Sequence, residues 1–301
     1  IAGMGGSALG GRVVAALSGK YVKLPILIVN EFNLPGYVDK KTLVVLVSYS
    51  GNTEEVLSMA EDARAAEAEV VAIGEGGKLL EKANKLGWKT LSFDASLNPG
   101  NQPRMAIGEN VALIAALVSK IGGVSLQTGE VVKAVKMLRN QQLGLSKEVK
   151  TADNMAKKMA ERLANKGVVI FAAEHLIGAA HVFKNQLNEN AKQWVVEMPM
   201  PELNHHLLEG MKFSGRVKEG SVVLIVNSNI YSEALKRRVG VVREIVEKQG
   251  WETSSLELEG EDEWEQTLEL VNFGEYVAFY TALCNGIDPG PIPWVDYLKE
   301  K

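Results

Sequence analysis

Short β-branched runs alternate with longer amphipathic stretches through the first third of the chain. The runs at 25–29, 42–47, 69–73 and 89–93 read as buried strands. Between them, 53–67 sets Val56, Leu57, Ala60 and Ala63 on one helical face with acidic residues opposite, and 104–118 repeats the pattern with Ile107, Val111, Ile114 and Leu117. Strands separated by crossover helices form a parallel, doubly wound sheet. A polar helical stretch at 129–164 interrupts the series, and the alternation restarts at Gly167-Val168-Val169-Ile170-Phe171. It continues with strand patterns at 194–196, 221–226 and 252–258, and with helical ones at 234–249 and 271–284. The fold class expected is α/β, with two doubly wound parallel-sheet domains at 1–125 and 166–301 joined by a helical connector at 126–165.

Composition narrows the class without changing the fold. With 301 residues and 46% apolar content, the chain can bury two cores of ordinary size. A net charge of −4 with 23% charged residues describes a solvated enzyme surface, not a nucleic-acid binder or a membrane-surface protein. No apolar run approaches the roughly 20 residues that span a bilayer. The single cysteine, Cys284, allows neither an intrachain disulfide nor a thiolate metal cluster, so a reducing, cytoplasmic location is the expectation. The sequence opens with Ile1 at what reads as a strand end, without an initiator Met, which implies residues before it.

Two loops carry candidate chemistry. Gly3-Met4-Gly5-Gly6-Ser7-Ala8 joins a strand end to a helix beginning near Ser7, where glycines let backbone amides approach an anion and the helix end adds partial positive charge. The same spacing satisfies the loose dinucleotide fingerprint, with Glu31 placed to bind a ribose, and it also fits a tight turn that needs glycine. Val47-Ser48-Tyr49-Ser50-Gly51-Asn52-Thr53-Glu54-Glu55 leaves a buried strand and enters a helix with hydroxyls clustered at the junction. Hydroxyls and free helix amides suit a terminal phosphate monoester, and the Lys-Ser/Thr ending of a nucleotide P-loop is missing. Ser50 or Thr53 is also placed to cap the helix.

Together these two loops resemble the phosphate-binding elements of the sugar isomerase (SIS) domain. Farther along, Asn188-Glu189-Asn190-Ala191-Lys192 and then Asn204-His205-His206, after Met198-Pro199-Met200-Pro201, resemble the bifunctional phosphoglucose/phosphomannose isomerases. Pro103-Arg104 and Leu298-Lys299 extend the likeness along the whole chain in the expected order. The resemblance implies tandem SIS (Rossmann-like) domains and interconversion of glucose 6-phosphate, and mannose 6-phosphate, with fructose 6-phosphate. It implies Glu189 as the proton-shuttling base, His205 as the ring-opening acid/base, Arg104 as the enediolate-stabilising cation and Lys299 as a second ring-opening group. Gly5, Gly6, Ser7, Ser48, Ser50 and Thr53 would hold the phosphate. It further implies no metal and no cofactor, a sugar phosphate as the small-molecule partner, and a homodimer in which His205 is donated across the interface. The segment Asp288-Pro289-Gly290-Pro291-Ile292-Pro293 departs from the threonine-containing form of several members, which makes glucose 6-phosphate the firmer of the two substrates.

Read alone, these residues say less. An isolated Glu such as Glu189 is ordinarily a surface acid, and Lys299 near the chain end an ordinary solvated cation. Arg104 at a helix start opposes the dipole, which favours a functional reason for it. His175 and His181, six apart on one helix, do not share a face for a metal and read as core or surface polar groups. A non-catalytic phosphosugar-binding sensor module would keep the serine loop and have no use for Glu189, His205 and Arg104.

Overall fold

The apolar run Leu43–Val47 is continuous, without the alternation of a one-sided strand, because both faces of its sheet are covered by helices. In the computed structural model, which describes all residues except 19–21, 23, 123–127, 214 and 300, this run is β2 of a first unit, Ile1–Leu126. That unit comprises β1 (Ala2–Gly3), α1 (Gly6–Ser18), β2 (Leu43–Val47), α2 (Glu54–Ala65), β3 (Glu69–Gly74), α3 (Gly77–Leu86), β4 (Lys89–Ser92) and α4 (Ile107–Lys120). The strands are parallel in the order β1-β2-β3-β4, with Ala2 opposite Leu46, Val45 opposite Val71 and Ile73 opposite Leu91.

The strand expected at 25–29 shrinks to one parallel bridge, Val29 against Ala2. Pro25 has no amide to give a ladder, and Leu24 and Leu27 are exposed, so only the end of the run joins the sheet. Val29 therefore flanks β1 on the side away from β2, and the winding reverses at β1. The strand at 89–93, expected to be buried, forms the half-exposed edge strand β4.

The second unit, Gln127–Lys301, begins with the stretch expected as a connector. It is helical, but α5 (Thr128–Leu145) and α6 (Met155–Leu163) pack on α11 (Glu263–Cys284) and so join this unit's core. The boundary expected at 125/126 falls outside the described residues. The remaining elements are β5 (Gly167–Ala173), α7 (Ile177–Asn190), β6 (Val195–Met200), the short α8 (Leu207–Gly210) and α9 (Gly215–Glu219), β7 (Ser221–Ser228), α10 (Glu233–Lys248), β8 (Glu252–Leu258), α11 and α12 (Pro293–Lys299). The parallel sheet runs β6-β5-β7-β8, with Phe171 and Phe183 fully buried against it. Each such side chain contributes about 1.5–3 kcal/mol relative to exposure.

Connections to the left and to the right of β5 lie on opposite faces, because parallel crossovers keep one hand. Thus α7 packs with α11 on one face, while the β6-to-β7 crossover, carrying α8, packs with α10 on the other. Helix α11 is longer than the apolar pattern at 271–284 because Asp262 caps it, its Oδ1 accepting from the Glu265 amide at 2.8 Å.

Pro199, expected in a stiff loop, lies within β6. An edge strand tolerates a missing amide. Helix α7 is fastened to this strand by Glu197, which accepts from His181 Nδ1 at 2.6 Å and pairs with Lys184 Nζ at 3.3 Å. Burial pushes the Glu197 carboxyl up, but His181 and Lys184 outweigh it and hold the group below the usual range. Its contribution is therefore present above the ordinary carboxylate pKa and lost as acid protonates it. His175 is buried, with Nε2 3.2 Å from Gln266 Oε1, so both of these histidines serve packing roles, as their spacing implies. Among the described residues no helix is long and apolar enough to cross a membrane, and no His/Cys/Asp/Glu group could hold a metal ion.

Candidate functional site

The winding reverses at β1, and in a doubly wound sheet ligands bind at the carboxyl ends of the strands flanking such a reversal. The carboxyl ends of β1 and β2 are where the two glycine- and serine-rich loops emerge. One hydrogen bond ties them together: the Tyr49 amide donates to Ser7 Oγ at 2.9 Å. Within the second loop Ser48 Oγ and Thr53 Oγ1 are 2.8 Å apart. Thr53 occupies the N-cap position of α2 but makes no capping bond, and Ser50 Oγ accepts instead from the Asn52 amide at 3.3 Å. The capping expected of these hydroxyls is therefore not made. The helix end stays open toward the crevice. Glu54 and Glu55 in the same turn favour the helix dipole and would repel an anion, which leaves the hydroxyls and free amides as the groups here that could attract one.

Arg104 is a cation beside these loops. It lies in a 3-10 turn, Pro103–Met105, ahead of α4, and is 3% exposed. A Cβ on Gly6 would sit 2.7 Å from the Arg104 amide, so Gly6 is glycine because the Pro103-Arg104 backbone presses against the first turn of α1. Arg104 Nη1 donates to Gln102 Oε1 at 2.7 Å, which orients the guanidinium. Gly5, with φ +48°, provides the left-handed turn into α1. Gly5, Gly6, Ser7, Ser48, Ser50, Thr53 and Arg104 thus form one cluster in the first unit.

Three supports of this crevice escape a reading by motif. Asn110 of α4 donates through Nδ2 to the Ser7 carbonyl at 2.8 Å, holding the first loop from below. Gly51, at φ +68°, has no space for a side chain: a Cβ would meet the Gly76 carbonyl at 1.8 Å. Gly77, also at φ +68°, backs onto the Ser50 carbonyl in the same way. The only linear signal was the cluster Gly74-Glu75-Gly76-Gly77, whose purpose shows only once β3 lies beside β2.

In the second unit, Glu189 is half-buried in the last turn of α7. The Val195 amide donates to Asn188 Oδ1 at 3.0 Å, which pins this turn to the first residue of β6, at the amino edge of the sheet. Asn285 Nδ2 donates to the Ala191 carbonyl at 3.4 Å, so the segment leaving α11 passes the same edge. That segment leads into α12, at whose end Lys299 is exposed. His205 ends a 3-10 turn, Glu202–His205, on the β6-to-β7 crossover and is exposed. Glu189 and His205 therefore lie on opposite faces of one sheet, and the structure does not bring them together within a chain.

The family model for the bacterial phospho-glucose isomerase C-terminal SIS domain matches residues 152–301. A bifunctional phosphoglucose/phosphomannose isomerase of Caldicellulosiruptor bescii is 30% identical over 302 residues, covering 100% of this chain and 88% of the relative. The chain belongs to the bifunctional phosphoglucose/phosphomannose isomerase family. The E. coli tagatose-6-phosphate ketose/aldose isomerase structure shares the fold of this family member, with a TM-score of 0.72 and 16% identity over 96% of this chain and 82% of that one. A relative named for a different reaction, the D-glucosamine-6-phosphate 4-epimerase of Sulfolobus acidocaldarius, is 30% identical over 233 residues, covering 77% of this chain and 69% of the relative.

Proposed function

We propose that this chain is an aldose–ketose isomerase that interconverts glucose 6-phosphate, and mannose 6-phosphate, with fructose 6-phosphate. The observation that carries this reading is the cluster of hydroxyls at the carboxyl ends of β1 and β2, with buried Arg104 beside it, in a chain that aligns over its whole length with a member of the isomerase family.

In this reading the phosphate is held by Ser48, Ser50, Thr53, the amides after Gly5 and Gly6, and Ser7. His205 protonates the ring oxygen while Lys299 assists opening. Glu189 removes the proton from C2 of the open aldose, and the electron pair passes into an enediolate whose charge Arg104 offsets. The protonated Glu189 returns the proton to C1 while the O2 hydroxyl proton passes to O1, which yields the ketose. One carbon is oxidised as its neighbour is reduced, so the reaction needs no external electron acceptor and no step calls for a metal.

The sheet lying between Glu189 and His205 supports a homodimer, with the histidine at each Glu189 supplied by a second copy. A hexose 6-phosphate substrate and an exposed, unpaired Cys284 fit a reducing cytoplasm. The epimerase relative favours a second reading, action on a hexosamine 6-phosphate. A binding-only sensor would not use Glu189.

Paired assays with glucose, mannose and glucosamine 6-phosphates separate these readings. Fructose 6-phosphate formed from the first two supports the proposal, and conversion of the third alone would replace it. Ser50→Ala/Thr53→Ala should raise KM for glucose 6-phosphate by about tenfold or more and change kcat by less than about threefold, because the phosphate lies away from the reacting carbons. A kcat loss at unchanged KM would remove the phosphate role.

A further inference from the structure

The motif Asn188-Glu189-Asn190-Ala191-Lys192 supplies one proposed base, and its other polar residues are built around that residue. Asn188 takes the Val195 amide at 3.0 Å and offers Nδ2 to the Val195 carbonyl at 3.4 Å. Asn190 Nδ2 reaches Glu275 Oε1 of α11 at 3.3 Å. Lys192 Nζ donates to the carbonyl of Glu189 itself at 2.5 Å and to the Pro289 carbonyl at 3.0 Å.

Lys192 is in the left-handed region, at φ +53°. Two residues past the end of α7, that conformation is ordinarily filled by glycine or asparagine, since a Cβ is disfavoured there. Here the long side chain folds back instead, placing an ammonium on the carbonyl end of the helix, where a cation is favoured. It also joins two segments that the proposed chemistry requires. One is the turn bearing Glu189, and the other is the 285–292 segment that leads to Lys299.

We propose that Lys192 is a positioning residue for catalysis, an ammonium clamp that fixes the Glu189 backbone against the segment that leads to Lys299. This rests on Glu189 being the base. A carboxylate that must reach two adjacent carbons in turn tolerates little displacement, and about 1 Å of misplacement can cost on the order of 100-fold in rate.

Lys192→Gly tests the clamp, because glycine accepts the left-handed backbone and removes the side chain that carries the amine. The expected result is an unchanged far-UV spectrum and a Tm within a few degrees of wild type, a kcat about 30- to 100-fold lower and a KM within about threefold. Lys192→Arg, which keeps a cation at the two carbonyls, should recover most of the loss. A kcat within about twofold of wild type in Lys192→Gly, or a loss expressed only in KM, would overturn the clamp. Should the glycine variant not fold, Lys192→Gln is read by the same kcat and KM criteria. Glu189→Gln, assayed beside it, separates the two claims: an inactive Glu189→Gln with a fully active Lys192→Gly refutes the clamp alone, whereas an active Glu189→Gln refutes the base on which it depends.

Discussion

Glu189→Gln is expected to lower turnover of glucose 6-phosphate by about 10³- to 10⁴-fold and to leave the Kd for fructose 6-phosphate within about threefold of wild type. The amide keeps the size and polarity of the side chain and removes its basicity, so it affects the proton transfer and spares the binding. Binding should persist because the hydroxyls proposed to hold the phosphate lie in the first unit, where the Tyr49 amide bonds to Ser7 and Ser48 pairs with Thr53. Turnover can be followed by NMR and binding by calorimetry. Near-normal turnover would remove Glu189 as the base, and loss of binding with turnover would recast it as a ligand of the sugar.

The second large effect is complementation. Glu189→Gln and His205→Asn homodimers should each be nearly inactive, yet a mixture unfolded and refolded together should regain about a quarter of wild-type activity. In a two-fold dimer with a shared histidine, random pairing makes half the dimers mixed, and one of the two sites in each is then intact. The structural ground is the placement of α7 and of the β6-to-β7 crossover on opposite faces of the second sheet. If the mixture is no more active than the separate variants, His205 does not act across an interface.

Most of the sheet was legible because buried parallel strands are continuous apolar runs: Glu252–Leu258 has the bounds read from the sequence, and β2 and β3 differ from them by one residue. The exceptions share a cause, that local pattern does not say whether a strand is central or at an edge. The run at 25–29 looked buried and is a single bridge, whereas Pro199 looked like a loop and lies within an edge strand. The helices at 129–164 looked like a connector because few of their residues are apolar, yet Ala134, Leu145, Met159 and Leu163 are enough to seat them on α11.

The convergence of the two loops was legible for a related reason. Glycines and hydroxyls at strand-to-helix junctions are local signals, and Gly5, Gly6, Ser7, Ser48, Ser50 and Thr53 do converge. What supports them is not local. Asn110 holds a loop about a hundred positions earlier in the chain, and Gly77 is required by its left-handed backbone and by the Ser50 carbonyl that lies against it. Glu189 and His205 were nominated by likeness alone. Their separation by a sheet depends on the order β6-β5-β7-β8, which no window of sequence displays.

As a hexose 6-phosphate isomerase, this chain moves a proton between C1 and C2 of its substrate. Incubating the wild-type protein with glucose 6-phosphate in D₂O and following the products by NMR tests it most directly. The expected products are fructose 6-phosphate that carries deuterium at C1, and glucose 6-phosphate that slowly acquires it at C2, since the proton on Glu189 exchanges with solvent before it is returned. Glucose 6-phosphate that binds and remains unchanged, with no deuterium at C2, would contradict this proton transfer.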